Sequence, residues 1–314
     1  MSALFGGDAS GARARTLATG PMPATIGDET VQRAWRWHEF HPRWLPSRVA
    51  TAIARGGLAS DGAIVRMAVS DGMVMQLDLA DLVECTIAMN GEWEGQIFDA
   101  VAALVAPGAT VLDVGAHVGY ASLRFAQWVG DGGHVLAMEP MPSHVDAVRR
   151  NAELSGVAHR IEVCNVAASD RMGRASFNVG VRLNTGTGAL AHGLATAGAM
   201  AVDTVILDDW IDARALPEIA LCKLDIEGAE ILALRGLRRA LKAHRIRALL
   251  IEVHATLLPH FGASVGDVTT LLDAHGYRLL WWDQPGQFGP RMPDSGPEYA
   301  LALAPGVAAP GAPA

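Results

Sequence analysis

Residues 110–119, Thr-Val-Leu-Asp-Val-Gly-Ala-His-Val-Gly, constrain the fold more than any other stretch of the chain. Val111, Leu112 and Val114 form a short apolar run suited to a strand buried on both faces. Gly115 and Gly119 break that run, and residues 120–128 follow with helical spacing. A buried strand passing through a glycine turn into a helix is a nucleotide-binding unit in outline. The glycines let backbone approach a ligand, and the helix N-terminus offers free N–H groups.

The spacing narrows the ligand. A dinucleotide fold uses Gly-x-Gly-x-x-Gly with the pyrophosphate on the helix N-terminus. Here the pattern is Asp113-x-Gly115-x-x-x-Gly119. An acid at that turn repels a pyrophosphate and favours an ammonium or sulfonium group, which points to S-adenosylmethionine (SAM) over NAD. A second apolar run, His134 to Met138, ends in Glu139, placed to bond ribose hydroxyls.

Strand and helix patterns then alternate. Pro142 to Ser155 reads as a helix and Arg160 to Ala167 as a third strand, whose end, at Asn165 and Ala167, is a candidate for contact with the base. Residues 181–199 form a glycine-rich excursion between two strand patterns, read as a substrate-side loop. Ala220 to Ile226, Arg247 to His254 and Tyr277 to Trp282 are further strands, separated by helices at 229–244 and 264–275. Residues 285–297 read as a proline-rich loop, and Tyr299 to Leu303 as a last strand. Such alternation predicts a parallel sheet with helices on both faces. Ligands of open parallel sheets sit beyond the carboxyl ends of the strands. Asp113, Glu139, Asp225, Glu227, Glu252 and His254 all fall at such ends.

With 314 residues, half of them hydrophobic, the chain can build a substantial core. A net charge of −8 argues against a nucleic-acid partner. Cys85, Cys164 and Cys222 are too few and too scattered for a disulfide framework or a zinc site. No apolar run is long enough to span a membrane and no secretory signal is evident, so a cytoplasmic protein is expected. The domain reading is a mobile segment over 1–27, a helix and hairpin extension over 28–98, a ligand-binding domain over 99–304 and a disordered tail over 305–314. Residues 28–55, rich in tryptophan, suit a packing helix, a lid or a homodimer surface.

Asp113-Val-Gly-Ala-His-Val-Gly-Tyr120, Met138-Glu-Pro140, Arg150-Asn-Ala-Glu-Leu154, Lys223-Leu-Asp-Ile-Glu-Gly-Ala-Glu230 and Ile251-Glu-Val-His254 appear in the order of the FkbM family of SAM-dependent methyltransferases, which the chain resembles over about 76–283. His117 departs from the Asn usual in that family. The resemblance implies a Rossmann-like class I methyltransferase fold: a mostly parallel seven-stranded sheet, helices on both faces, and an antiparallel last strand. It implies direct in-line transfer of the SAM methyl group to a hydroxyl of a small molecule, a natural product or saccharide. Glu94 matches the segment that reaches the SAM amino group; a helix-capping acid is the alternative. The expected cofactor-binding set is Glu94, Asp113, Gly115, His117, Gly119, Glu139, Asn165 and Ala167.

An alcohol acceptor must lose a proton, and Asp225, Glu252 or His254, with Glu227 beside them, are the candidate catalytic groups. Asp225, Glu252 and His254 also suit Mg²⁺, though a metal-free acid–base site is preferred. Lys223 shares a strand face with Asp225 and is expected to pair with that acid or with the neighbours of Glu227 rather than act directly. The rival readings are a metal-assisted O-methyltransferase, an NAD-dependent oxidoreductase and a SAM-binding module without catalysis.

Overall fold

The computed structural model describes residues 64–180, 184–191, 198–283, 287–293 and 299–310. The expected segments at 1–27 and 28–55 lie outside these, as do residues 181–183 and 192–197 of the excursion at 181–199. The described chain divides into two compact units.

The smaller unit holds 64–93, 153–155 and 184–186. Strands β1 (Ile64–Ala68) and β2 (Val74–Asp78) pair antiparallel, as the Ser-Asp-Gly signal between them predicts. Asp71 and Gly72 turn the chain with positive φ. Helix α1 (Leu82–Asn90) begins at Asp81, whose Oδ1 accepts from the backbone N–H groups of Val83 and Glu84. Its other oxygen accepts from the Thr185 backbone and hydroxyl.

The larger unit begins at Glu94, a few residues before the expected boundary. Helix α2 (Gly95–Val101) belongs to it because Phe98 is buried against Tyr120 and Phe125. Then come β3 (Thr110–Val114), α3 (Tyr120–Val129), β4 (His134–Met138), α4 (Pro142–Leu154) and β5 (Ile161–Cys164). Strands β6 (Ala167–Ser169), β7 (Gly173–Asn178), β8 (Ala189–Leu190) and β9 (Met200–Ile206) follow, then α5 (Leu207–Ala213). The chain continues through β10 (Ile219–Leu224), α6 (Glu230–Arg235), α7 (Arg238–Lys242), β11 (Ala248–Glu252), α8 (Val265–Ala274), β12 (Arg278–Asp283), β13 (Gln287–Gly289) and β14 (Tyr299–Leu303).

The main sheet has the order β13-β12-β14-β11-β10-β3-β4-β5. Neighbours from β11 to β5 run parallel. Strand β14 inserts antiparallel between β11 and β12. This is the expected Rossmann-like class I methyltransferase arrangement with one strand more, because β13 forms within the expected proline-rich loop. Every residue of β3 and β14 is buried, as befits central strands covered on both faces.

Three other expectations change. The third strand stops at Cys164. Val166 turns back onto the Cys164 carbonyl, and Ala167 lies instead in a second sheet, β6-β9-β7-β8. The helix expected at 229–244 is two helices. Gly236 interrupts it where a side chain would strike the Ser169 carbonyl oxygen, and Asp208 caps the second piece through the N–H groups of Arg239 and Ala240. The tail expected to be disordered from 305 instead turns at Pro305–Gly306, and the Val307 N–H donates to the Ala304 carbonyl.

Candidate active site

Parallel strands present their carboxyl ends along one edge, and the turns there carry the polar residues. At the end of β3, Gly115 has φ +87°. A Cβ on Gly115 would collide with the Asp225 carbonyl oxygen, and one on Gly119 would press on Val148 of α4. Both glycines are therefore required by protein contacts, the first by the neighbouring strand and the second by helix packing.

Asp113 also differs from its expected role. Its side chain is wholly enclosed, accepts the Ser122 hydroxyl at 2.5 Å and faces Lys223 Nζ at 3.5 Å. A cofactor has no open surface of Asp113 to touch. Burial raises its pKa, with Lys223 and Ser122 opposing. Lys223, only 4% exposed, donates to the Gly115 carbonyl at 3.0 Å and pairs with Asp225 Oδ2 at 2.9 Å. Of the two partners left open by the sequence, Asp225 is the one paired, and one ammonium ties β3, its glycine turn and the end of β10 together. Burial opposes its charge, but Asp225 and Asp113 outweigh burial and raise its pKa.

Glu139 sits at the tip of β4, 5% exposed. Its Oε2 accepts from the His117 N–H and its Oε1 from the Met141 N–H, both at 2.9 Å. Oε1 also lies 3.6 Å from His144 Nδ1, and Oε2 keeps a lone pair for another donor. The His117 ring stacks edge-on against His144 with centroids 4.4 Å apart. Asn165 is exposed and its side-chain amide donates to the carbonyls of Glu139 and Pro140, bracing the tip of β4. Ala167, buried in the second sheet, is separated from this edge by the break after Cys164.

Beyond β10 and β11 the acids cluster. His254 Nε2 lies 3.4 Å from both Glu227 and Glu252, and its Nδ1 lies 3.5 Å from Glu230. The Tyr299 hydroxyl reaches Glu94 at 2.6 Å and Glu252 at 3.0 Å. Glu94 precedes α2 but makes no side-chain cap, so the helix-capping alternative fails.

Electrostatics separates these groups. Burial raises Glu227 to about 7, Asp225 and Glu230 add to the rise, and His254 opposes it. Burial would lower His254, but Glu230, Glu227 and Asp225 outweigh it and raise the imidazole to about 9. Burial and then Asp225 raise Glu252 and Glu94. Asp225 is held low despite burial because Lys223 lies against it. Among the described residues six non-glycine positions have positive φ, and Glu94, His117 and Glu227 are three of them. Strained backbone gathered at one edge marks a site at which position outweighs local comfort.

Ligand atoms of Asp225, Glu252 and His254 come within 4.8 Å of one another. Lys223 Nζ lies 2.9 Å from Asp225 Oδ2, so a cation held there would share that carboxylate with the ammonium. These side chains as arranged form a compensated charge cluster.

The sequence reading missed Tyr299, Glu230 and Ser122 as members of this constellation. Tyr299 sits opposite Glu252 in the β11–β14 register, so its signal was available only through the direction of the last strand.

The Methyltransferase FkbM domain matches residues 113–279. The chain is 32% identical over 200 residues to the 31-O-demethyl-FK506 methyltransferase FkbM of Streptomyces tacrolimicus, a match covering 55% of this chain and 74% of the relative. The hexuronic acid methyltransferase AglP of Haloferax volcanii is 27% identical over 51% of this chain and 59% of its own length. Catechol O-methyltransferase of Mus musculus is 29% identical over 46% of this chain and 49% of its own. The family match begins at Asp113 of the glycine turn and runs through the acidic ends of β10 and β11, so this chain belongs to the FkbM family of SAM-dependent methyltransferases.

Proposed function

We propose that the protein methylates a hydroxyl group of a small molecule, with Glu227 accepting the proton that the hydroxyl loses. The observation that carries this reading is Glu227 itself. It is a partly exposed carboxylate in a positive-φ turn, with its pKa near 7 and its oxygen beside the His254 imidazolium. A base works best when its pKa lies near the working pH. Asp225 is too well stabilised by Lys223 to be that base, and Glu252 holds its proton too tightly. His254 is charged at neutral pH, so its part is to orient Glu227 and favour its ionised form.

SAM supplies a methyl group made electrophilic by its sulfonium. Glu139, with a lone pair left on Oε2, is the group for the ribose hydroxyls, and the turn around His117 closes beside it. Glu94 is the carboxylate for the amino group. Asp113 supports the turn from behind through Lys223. The names of two relatives specify O-methylation, of 31-O-demethyl-FK506 and of catechol, which supports a hydroxyl acceptor. No helix among the described residues is long and apolar enough to cross a membrane.

The deciding experiment is a SAM-consumption screen over saccharides, macrolides and catechols, with chelator and with added Mg²⁺. Turnover on a hydroxyl acceptor, unchanged by chelator, is expected. Loss with chelator and return with Mg²⁺ would overturn the metal-free reading, and transfer only to nitrogen or carbon would overturn the hydroxyl acceptor. A companion titration isolates the cofactor side. Glu139→Ala should weaken SAM binding by about 1–3 kcal/mol, because buried hydrogen bonds to a charged group are lost. Unaltered affinity would remove Glu139 from the ribose site.

A further inference from the structure

Glu230 opens α6, yet its carboxylate serves the turn before that helix. Its side chain is buried, and its Oε1 accepts from the Gly228 N–H at 3.0 Å and from the Ile226 N–H at 3.2 Å. Both donors precede α6, so this oxygen organises the turn rather than capping the helix. The two donors are the residues on either side of Glu227. Glu227 has φ +55° and Gly228 φ +93°. A residue with a Cβ stays in the left-handed region only where its surroundings fix it there. One oxygen bonded to the N–H before Glu227 and to the N–H after it is such a fixture. The far side of the turn is held as well, since a Cβ on Gly228 would come within 2.6 Å of Leu257 Cβ. His254 then spans the two acids, with Nδ1 3.5 Å from Glu230 Oε1 and Nε2 3.4 Å from Glu227 Oε2. The other Glu230 oxygen is buried without a hydrogen-bond partner among the described residues. An unsatisfied buried oxygen lowers stability, so strength of the fold alone does not account for a carboxylate here.

We propose that Glu230 is the positioning residue for Glu227. It holds the backbone of the turn so that the Glu227 carboxylate leaves it in one direction, toward the hydroxyl that loses its proton. Glu230 itself touches neither SAM nor acceptor and moves no proton. The proposal rests on the reading of Glu227 as the base. It separates two tasks at this edge: Glu230 sets the backbone beneath Glu227, and His254 orients the carboxylate at its tip.

Backbone hydrogen exchange resolved by NMR tests the turn in the wild-type protein before any substitution. The Ile226 and Gly228 amides should exchange at least about tenfold more slowly than those of an open loop. Glu230→Ala should remove that protection, and Glu230→Gln, whose carbonyl oxygen can accept both bonds, should keep most of it. The kinetic arm uses SAM with whichever saccharide, macrolide or catechol turns over fastest in the screen above. Glu230→Ala should lower kcat roughly 10–100-fold through misplacement of the base. Its KM for SAM should move by less than about twofold. Glu230→Gln should recover most of the lost kcat. The double variant Glu227→Gln, Glu230→Ala should be no slower than Glu227→Gln alone, because residues acting as a unit do not add. A purely structural loss would add, and SAM-binding stoichiometry corrects each kcat for the folded fraction. Unprotected Ile226 and Gly228 amides in the wild type overturn the proposal whether or not the variants fold. Full kcat in Glu230→Ala, or additive losses in the double variant, overturn it while leaving Glu227 as the base. Full kcat in Glu227→Gln, or no turnover of any hydroxyl acceptor, overturns the reading of Glu227 and this proposal with it.

Discussion

Lys223→Met should lower the unfolding free energy by about 3–5 kcal/mol, the cost of removing one partner from a buried ion pair. Lys223 contacts Asp113, Asp225 and the Gly115 carbonyl at once, and of these Asp113 is fully enclosed. Asp113 Oδ1 has no hydrogen-bond partner and only Lys223 as a counter-charge. Methionine fills a similar volume, so the loss reports charge rather than a cavity. The sign with pH follows from Asp113. A carboxyl whose folded pKa is raised binds more protons in the native state, so acid favours folding at that site. The deficit of the variant should therefore shrink as pH falls through the raised pKa of Asp113. Asp113→Asn combined with Lys223→Met should recover part of the loss, because the two sites are coupled. Equilibrium urea unfolding reads all three proteins. A single variant as stable as wild type would mean that Asp113 is carried uncharged and that Lys223 is dispensable to the turn.

Glu227→Gln should reduce kcat by about 10²–10⁴, the usual contribution of a positioned base. The wild-type pH profile supplies the sharper test. Glu227 must lose its proton to act, so activity should rise through about pH 7. His254 must keep its proton to orient Glu227, so activity should fall through about pH 9. Glu227→Gln should erase the acidic limb while leaving SAM affinity close to wild type. His254→Gln should move that limb to higher pH, since the imidazolium is what lowers the Glu227 pKa. Full kcat with an unaltered profile in Glu227→Gln would place the base elsewhere.

The part of this site that could be read from sequence is the part fixed by alternation. Once β11, β10 and β3 lie side by side and parallel, Asp225, Glu227, Glu252 and His254 must share an edge, and they do. What escaped depended on direction and side-chain parity. Tyr299 joins the acids because β14 runs antiparallel, which puts the start of that strand beside the end of β11. Asp113 lies one residue before the end of an apolar run, and nothing in such a run says which face each side chain takes. It points beneath Ser122 of α3 rather than toward the edge. The glycines announced a turn, but what crowds them, the Asp225 carbonyl and Val148, comes from elsewhere in the chain. The exit of Ala167 into another sheet follows from one tight turn at Asn165–Val166 without a glycine or proline to mark it.

The late position of β14 has a consequence for biosynthesis. A ribosome that has translated as far as β12 has produced every carboxylate of the site, yet β11 and β12 still lack the strand that belongs between them. Until residues 299–303 emerge, both present unpaired backbone edges flanked by Leu249, Ile251, Leu280 and Trp281, the kind of surface that recruits other chains. The nascent protein is then at once without its tyrosine and at its stickiest, and a single short strand ends both conditions.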